Sequence, residues 1–184
     1  MRTFKLQVQT TVDGYMAGPN GEMDWLTFDW SDDFKAYVDA LTKPVDTIVL
    51  GRKLAEGFIP AWAAGPPGED QESIDKMNNT PKVVISESVT ESPWDGVTIA
   101  SDLVATVNEL KAQDGGDIIA YGGGTFVSNL IAEGLLDELH LFVNPTSIGG
   151  GMPVFPASAY HRLRLVAATP FECGVTALHY APTR

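Results

Sequence analysis

The sequence predicts a three-layer α/β/α protein with a mostly parallel central sheet and antiparallel C-terminal edge strands. Up to Gly134, continuous apolar runs alternate with segments of helical periodicity. Such runs are typical of strands that helices cover on both faces. After Gly134, strand patterns follow one another without helices, which indicates the antiparallel edge. A chain of 184 residues can bury one sizeable core, so we expect a single domain over residues 1–184.

The first predicted strand comes from apolar and polar residues that alternate over residues 4–9, the period of a half-buried strand. A glycine-punctuated loop follows over residues 11–21. Ser31 is a suitable N-cap for a helix that runs to about Leu41, because Asp32 and its acidic neighbour suit the positive end of the helix dipole.

Four further apolar runs predict the buried strands of the sheet. They cover residues 46–50, 82–86, 97–100 and 117–121. A helix is predicted over residues 102–113, between the last two strands, and strands joined in this way form right-handed parallel crossovers. Residues 60–71 are rich in Pro, Gly and Ala, so we predict an exposed loop there.

The C-terminal part of the chain contains three predicted strands. They cover residues 135–143, 162–168 and 174–181. After Glu138 the only acidic residue is Glu172, so these edge strands carry little negative charge. Because edge strands without such charge need to be covered, we expect a homodimer that forms through them.

Composition limits the kinds of partner. Clustered Lys and Arg are needed to bind phosphates, and a net charge of −12 therefore argues against nucleic acid. The single cysteine, Cys173, cannot form an internal disulfide or a cysteine-pair metal motif, and the three histidines show no metal-ligand spacing. There is no signal region and no apolar run near the ~20 residues of a membrane span. We expect a cytoplasmic protein without a membrane partner.

The most informative segment is a glycine-rich turn between a strand and a helix. The strand 118–121 leads into Gly122, Gly123 and Gly124, with Thr125 as the predicted helix cap. Exposed backbone N–H groups and the positive end of a helix dipole together hold anions, which favours a cofactor with a diphosphate. Val127 stands where the dinucleotide fingerprint has its third glycine, so this is another kind of motif. A tight turn that binds nothing is the alternative interpretation.

A set of motifs in a fixed order supports a family resemblance. The motifs are 11–18 (TVDGYMAG), 19–26 (PNGEMDWL), 50–53 (LGRK), 56–58 (EGF), 82–86 (KVVIS), 122–124 (GGG), 134–139 (GLLDEL), Pro145, 149–151 (GGG) and Phe155. Through them the chain resembles the dihydrofolate-reductase-like superfamily, and within it the bacterial branch similar to the reductase domain of riboflavin biosynthesis. The resemblance covers nearly the whole chain.

The resemblance implies an NAD(P)H-dependent reductase whose cofactor lies across the carboxyl ends of the parallel strands, where open α/β sheets bind ligands. Its implied cofactor residues are Ala17 at the carboxamide, Gly51, Arg52 and Lys53 at the adenosine phosphates, Ser86 and Ser88 at the ribose 2′-phosphate, and Gly122, Gly123, Gly124 and Thr125 at the diphosphate. Glu87 would repel a 2′-phosphate and suits a 2′-hydroxyl. Glu87 thus leaves NADH open, but the resemblance favours NADPH. Leu54 stands where the family often has Thr.

The implied reaction is hydride transfer to a pteridine- or pyrimidine-type heterocycle. In the riboflavin branch the substrate is a phosphoribosylamino-uracil, whose phosphate would need basic residues; the candidates are Lys35, Arg162 and Arg164. A non-catalytic nicotinamide-nucleotide-binding or redox-sensing module is the alternative function. A self-associating structural protein is a third.

Two carboxylates are candidate catalytic groups. Asp33 falls near the position of the carboxylate that contacts the pterin in folate reductases, and Asp13 lies in the loop after the first strand. Asp33, like Asp32, also suits the helix dipole without any catalytic role. Asp24 and Trp25 are further candidates for the lining of the substrate pocket. The loop 144–151 either closes on substrate or only connects two strands.

Overall fold

A computed structural model describes residues 1–155, 157 and 160–183, and it has the predicted α/β architecture. The elements in chain order are β1 (Phe4–Thr10), β2 (Tyr15–Ala17), α1 (Asp32–Thr42), β3 (Val45–Gly51), α2 (Arg52–Ala64), α3 (Gln71–Asn79), β4 (Lys82–Ile85), β5 (Val97–Ala100), α4 (Leu103–Ala112), β6 (Asp117–Tyr121), α5 (Gly124–Ala132), β7 (Glu138–Val143), β8 (Met152–Pro153), β9 (Leu163–Pro170) and β10 (Thr176–Pro182).

Eight strands form the central sheet in the order β5-β4-β3-β6-β1-β7-β10-β9. The first six pair in parallel, and β10 pairs antiparallel with both β7 and β9. This confirms the mostly parallel sheet with an antiparallel C-terminal edge. The strand that follows Gly134 is still part of the parallel region, because β7 pairs in parallel with β1.

Helices cover both faces of the sheet. On one face, Phe4, Leu6 and Val8 of β1 are buried in a core with residues of α4 and α5. On the other face, α2 and α3 pack over β3 and β4, while α1 packs over β7 and β10 through Phe34 and Phe142. The polar face of β1 therefore lies between two separate apolar clusters, one beneath α2 and one beneath α1.

The loop predicted over residues 60–71 is confined to residues 65–70, so the prediction was wrong at its start and its end. Helix α2 continues through Pro60 to Ala64, and α3 begins at Gln71. Phe58 and Ile59 pack on the sheet, and this packing holds the helix together across the proline. Asp70 caps α3 by accepting a hydrogen bond of 2.7 Å from the Ser73 amide. The apolar residues of α3 are only Ile74 and Met77, both half-buried, so the sequence offers few apolar positions there.

Among the helices of the described residues, none has both the length and the apolar character needed to cross a membrane. The small sheet of β2 and β8 was not predicted. It pairs Ala17 with Met152 and joins two loops at one edge of the main sheet.

Candidate nucleotide-binding site

Three turns lie side by side at the carboxyl edge of the sheet. Strands β4, β3 and β6 are neighbours and run in parallel, so the turns after Ile85, Gly51 and Tyr121 all emerge at that edge. Gly51 pairs with Ile85, and Val49 pairs with Ala120, which places the three strand ends at nearly the same level. The three turns in which we predicted cofactor-binding residues therefore lie next to one another.

The glycine turn before α5 has a backbone that requires glycine. Gly122 and Gly123 have φ angles of +37° and +92°, in the left-handed region that other residues rarely adopt. Gly123, and not Thr125, is the N-cap, and no side chain caps the helix. The prediction of Thr125 as the cap was therefore wrong; Thr125 is an exposed residue of the first helical turn.

The first intrahelical bond of α5 runs from the Val127 amide to the Gly123 carbonyl, at 2.8 Å. The amides of Gly124, Thr125 and Phe126 precede it, and such amides have no acceptor within their own helix. They lie at the positive end of the helix dipole, next to the ends of β3 and β6. This arrangement suits an anionic group.

Close packing fixes the turn against β3. A Cβ atom on Gly51 would lie 2.8 Å from the Cβ atom of Phe126, so only glycine allows this approach of strand and helix. Leu54, which stands where the resemblance leads one to expect Thr, packs on the turn: Cβ atoms on Gly122 and Gly123 would lie 3.8 Å from its side chain. The leucine gives the turn apolar support in place of a hydroxyl.

Two cations follow β3 directly. The Arg52 guanidinium lies 2.5 Å from the Glu56 carboxylate, one helical turn away, and its side chain is 35% exposed. Lys53 is exposed. By contrast, Arg162 and Arg164 lie at the other edge of the sheet, since Leu163 between them pairs with Pro182 at the end of β10.

The turn after β4 is locally hydrogen-bonded. Ser86 is buried, and its hydroxyl oxygen accepts bonds from the Val89 amide at 3.0 Å and the Ser88 amide at 3.3 Å. Glu87 and Ser88 are exposed between them. The Ser86 hydroxyl proton is left to donate, and the Glu87 carboxylate faces solvent beside it.

Ala17 approaches the same region through the small sheet. It is buried and pairs with Met152. A Cβ atom on Gly124 would lie 2.7 Å from the Met152 sulfur, so Met152 bridges Ala17 and the start of α5.

The two predicted catalytic carboxylates each hold a loop at this edge. Asp13 accepts bonds from the Gly149 amide at 2.7 Å and the Ile148 amide at 3.2 Å, which ties the loop after β1 to the loop after β7. The Thr11 hydroxyl, assisted by these amides, lowers the pKa of Asp13. Segment 144–151 is therefore anchored by hydrogen bonds at its centre.

Asp33 makes a comparable link between α1 and the β9–β10 turn. It accepts bonds from the Ser31 hydroxyl and from the Glu172 amide, the latter at 3.2 Å. The Ser31 hydroxyl, with help from that amide, lowers the pKa of Asp33. Both aspartates are held ionised at neutral pH, and their role in proton transfer stays a prediction.

Asn144 is a positioning residue that the sequence did not identify. It is fully buried directly after β7, and its side-chain oxygen accepts a bond of 2.9 Å from the Thr27 amide. Its amide nitrogen donates to the Gln9 side chain at 2.8 Å and to the Phe142 carbonyl at 3.1 Å. These bonds fasten the loop before α1 to the sheet. The sequence signal that could have identified Asn144 is an asparagine directly after a long apolar strand.

The middle of the polar face of β1, around Gln7, lies between the apolar cluster beneath α1 and the one beneath α2, and we call it the floor. Gln7 pairs with Tyr121 on one side and His140 on the other, and it is 9% exposed. Within the described part of the chain, the Gln7 side-chain oxygen has no hydrogen-bond partner. Burial raises the pKa of Tyr121, so its hydroxyl stays neutral. The floor thus offers uncharged hydrogen-bonding groups.

We predict that Gly51→Ala destabilises the protein by about 1–3 kcal/mol, because the new methyl group pushes α5 away from β3. Gly57→Ala is the matched control. Gly57 lies within α2 with no atom near its missing Cβ, and the helix should gain up to about 1 kcal/mol. Urea unfolding of both variants measures the difference, and equal stabilities would contradict the tight β3–α5 contact.

Comparison with known proteins identifies the family. The RibD C-terminal domain family matches residues 2–177. The uncharacterized protein YyaP of Bacillus subtilis is 31% identical in an alignment 183 residues long, which covers 97% of this chain and 94% of that protein.

Among solved structures, RibD of Acinetobacter baumannii has a TM-score of 0.72 and 18% identity over 100% of this chain and 59% of that one. Dihydrofolate reductase from Enterococcus faecalis, complexed with NADP(H), has a TM-score of 0.65 and 18% identity over 99% of this chain and 97% of that one. The predicted resemblance is confirmed: the chain belongs to the RibD C-terminal domain family.

Proposed function

We propose that the chain is an NAD(P)H-dependent reductase that transfers hydride to a pteridine- or pyrimidine-type heterocycle. The observation that carries the proposal is the alignment of three turns on adjacent parallel strands, one of which leads into the open N-terminus of α5. Membership in a family of RibD-type reductase domains supports the reaction class.

The residues at this edge fit a dinucleotide. The amides of 124–126 would bind the diphosphate, and Arg52 with Lys53 would meet phosphates by charge-assisted bonds. Ser86 and Ser88 lie where a ribose is expected, and Ala17 lies at the end toward the carboxamide. When bound, the cofactor supplies the hydride. The NADP(H) in the Enterococcus faecalis enzyme supports this choice of cofactor.

The charge distribution favours a substrate without a phosphate. The loops after β1 and β7, residues 11–31 and 144–155, contain no Lys or Arg. They contain Asp13, Glu22, Asp24 and Asp29. Burial raises the pKa of Glu69, and the nearby charge of Lys35 opposes this rise. Lys35 also acts on the Asp70 carboxylate, whose pKa is lowered mainly by its hydrogen bonds with Ser73, so Lys35 already faces two carboxylates. A phosphoribosyl group would meet repulsion here.

The floor, the polar face of β1 around Gln7, suits the edge of a neutral heterocycle. The buried Gln7 oxygen would accept a bond from a ring N–H group, which would satisfy an otherwise costly acceptor. We therefore infer an uncharged or cationic heterocycle in preference to a phosphoribosylamino-uracil.

The alternative function is a nicotinamide-nucleotide-binding or redox-sensing module without turnover. The lowered pKa values of Asp13 and Asp33 favour it, because an effective proton donor has a pKa near the working pH. Substrates that take up hydride and draw the proton from water remain compatible with the reductase.

Cofactor binding and turnover separate these functions. We expect NADPH to raise the melting temperature and dihydrobiopterin, or the dephosphorylated form of phosphoribosylamino-uracil, to cause NADPH oxidation. The phosphorylated uracil serves as the matched comparison and should react more slowly. Binding without oxidation by any acceptor would support the module, and no thermal shift with NADPH or NADH would contradict both functions.

We predict that Glu87→Lys increases the preference for NADPH over NADH by about fivefold, since one charge pair near the surface contributes up to about 1 kcal/mol. Glu91→Lys changes the charge equally on the same exposed segment and controls for the general field. Fluorescence titration with both cofactors measures the ratio. If the two variants show the same ratio, Glu87 does not lie near the 2′ position.

We also propose a homodimer through the C-terminal edge. The outermost strand, β9, exposes Leu165 and Val166, which are 52% and 46% exposed. Such an apolar edge strand is a ready surface for pairing with a second copy.

Val166→Glu should therefore give a monomer in sedimentation at micromolar concentration, where the parent chain sediments as a dimer. Val104→Glu introduces the same charge on α4, where Val104 is 38% exposed, and should leave the dimer intact. A parent chain that is already monomeric would remove the proposal.

A further inference from the structure

A second cluster of chemically active side chains lies on β7 and β10. Glu138 and His140 are two residues apart on β7, so both side chains point to the same face of the sheet. His179 on β10 is paired directly opposite His140. The antiparallel pairing thus brings His179 from a distant part of the sequence to Glu138 and His140, which is why the histidine spacing gave no metal motif.

The three side chains converge on one point. Glu138 Oε2 lies 3.0 Å from His140 Nε2 and 3.5 Å from His179 Nε2. One ligand atom from each residue lies within 4.8 Å of the others. Zn–N and Zn–O bonds of about 2.0–2.1 Å in a tetrahedron place ligand atoms about 3.3 Å apart. The distances from Glu138 Oε2 to the two histidine nitrogens are close to this value.

The two imidazole rings are held in place for a shared ligand. They stack with centroids 4.1 Å apart and an angle of 21° between their planes. The His140 side chain is 4% exposed and that of His179 is 18% exposed. Within residues 1–155, 157 and 160–183, His179 Nε2 is buried without a hydrogen-bond partner. On His140 the unpartnered buried nitrogen is Nδ1, whereas Nε2 contacts Glu138. The buried His179 nitrogen therefore calls for a ligand.

The cluster also has access to solvent. Glu138 and His179 line an open cleft of about 420 Å³, together with Thr3 and Arg164. Lys5, the neighbouring cation on β1, is engaged by Asp117 at 2.6 Å, which reduces its repulsion of a bound cation. A divalent ion would therefore have three protein ligands and a fourth position toward the cleft.

We propose that Glu138, His140 and His179 form a Zn²⁺ site toward the amino edge of the sheet, whereas the three candidate nucleotide turns lie at the carboxyl edge. Two imidazoles and one carboxylate form a ligand set typical of zinc sites that keep one open position. Imidazole nitrogen favours zinc over magnesium and calcium, which prefer oxygen ligands. The site would link β7 to β10, and the proposal does not depend on the reductase function.

The test uses the full chain without an affinity tag, stripped of metal with a chelator and titrated with zinc chloride against a chromophoric competitor. We expect one Zn²⁺ per chain. Glu138→Gln keeps the side-chain volume, and both it and His179→Gln should weaken binding at least about tenfold, since even residues that only orient ligands cost that much. Cobalt substitution should give the visible spectrum of a four-coordinate site.

His161→Ala is the matched control, because His161 stacks on Phe155 outside the cluster. It should bind Zn²⁺ as the parent chain does. Circular dichroism without metal checks that each variant is folded. If His179→Gln is unfolded, the zinc affinity of Glu138→Gln alone decides the test. The proposal is overturned if the parent chain binds no zinc, or if Glu138→Gln binds it as tightly as His161→Ala does.

Discussion

The close contact of β3 with α5 is the constraint on which the candidate nucleotide site depends. Gly51 leaves no side chain between the end of the strand and Phe126, so the first turn of α5 can lie against it. The parallel register of β4, β3 and β6 then sets the neighbouring turns at the same height. The amides at the start of α5, the two cations and the serine turn form one continuous edge because of this packing.

Buried or hydrogen-bonded polar side chains organise the loops beside the candidate nucleotide site. Asn144 fastens the loop before α1, Asp13 fastens the loop after β7, and Asp33 fastens the β9–β10 turn. The same carboxylates make this region negative. One set of residues thus orders the loops and sets the charge that a substrate meets, which connects the stability of the loops to the choice of substrate.

Local patterns predicted the strands and the glycine turn, because apolar runs and glycine act through nearest neighbours along the chain. Helix α3 was missed since it has only two apolar residues, Ile74 and Met77, and begins directly after a segment rich in Pro and Gly. Thr125 was misplaced since the φ angle of Gly123 moved the cap by two residues. Asn144 and the pair His140–His179 gain their meaning from contacts across strands, which a single sequence does not display.

In the complex that we propose, the carboxyl ends of β3, β4 and β6 hold one dinucleotide. Amide chemical shifts recorded during an NADPH titration report on each of these strand ends separately. We expect the largest changes at 51–53, 86–88 and 122–126, all saturating at a single concentration. Changes confined to the opposite edge of the sheet, around Thr3, Glu138 and Arg164, would contradict this complex.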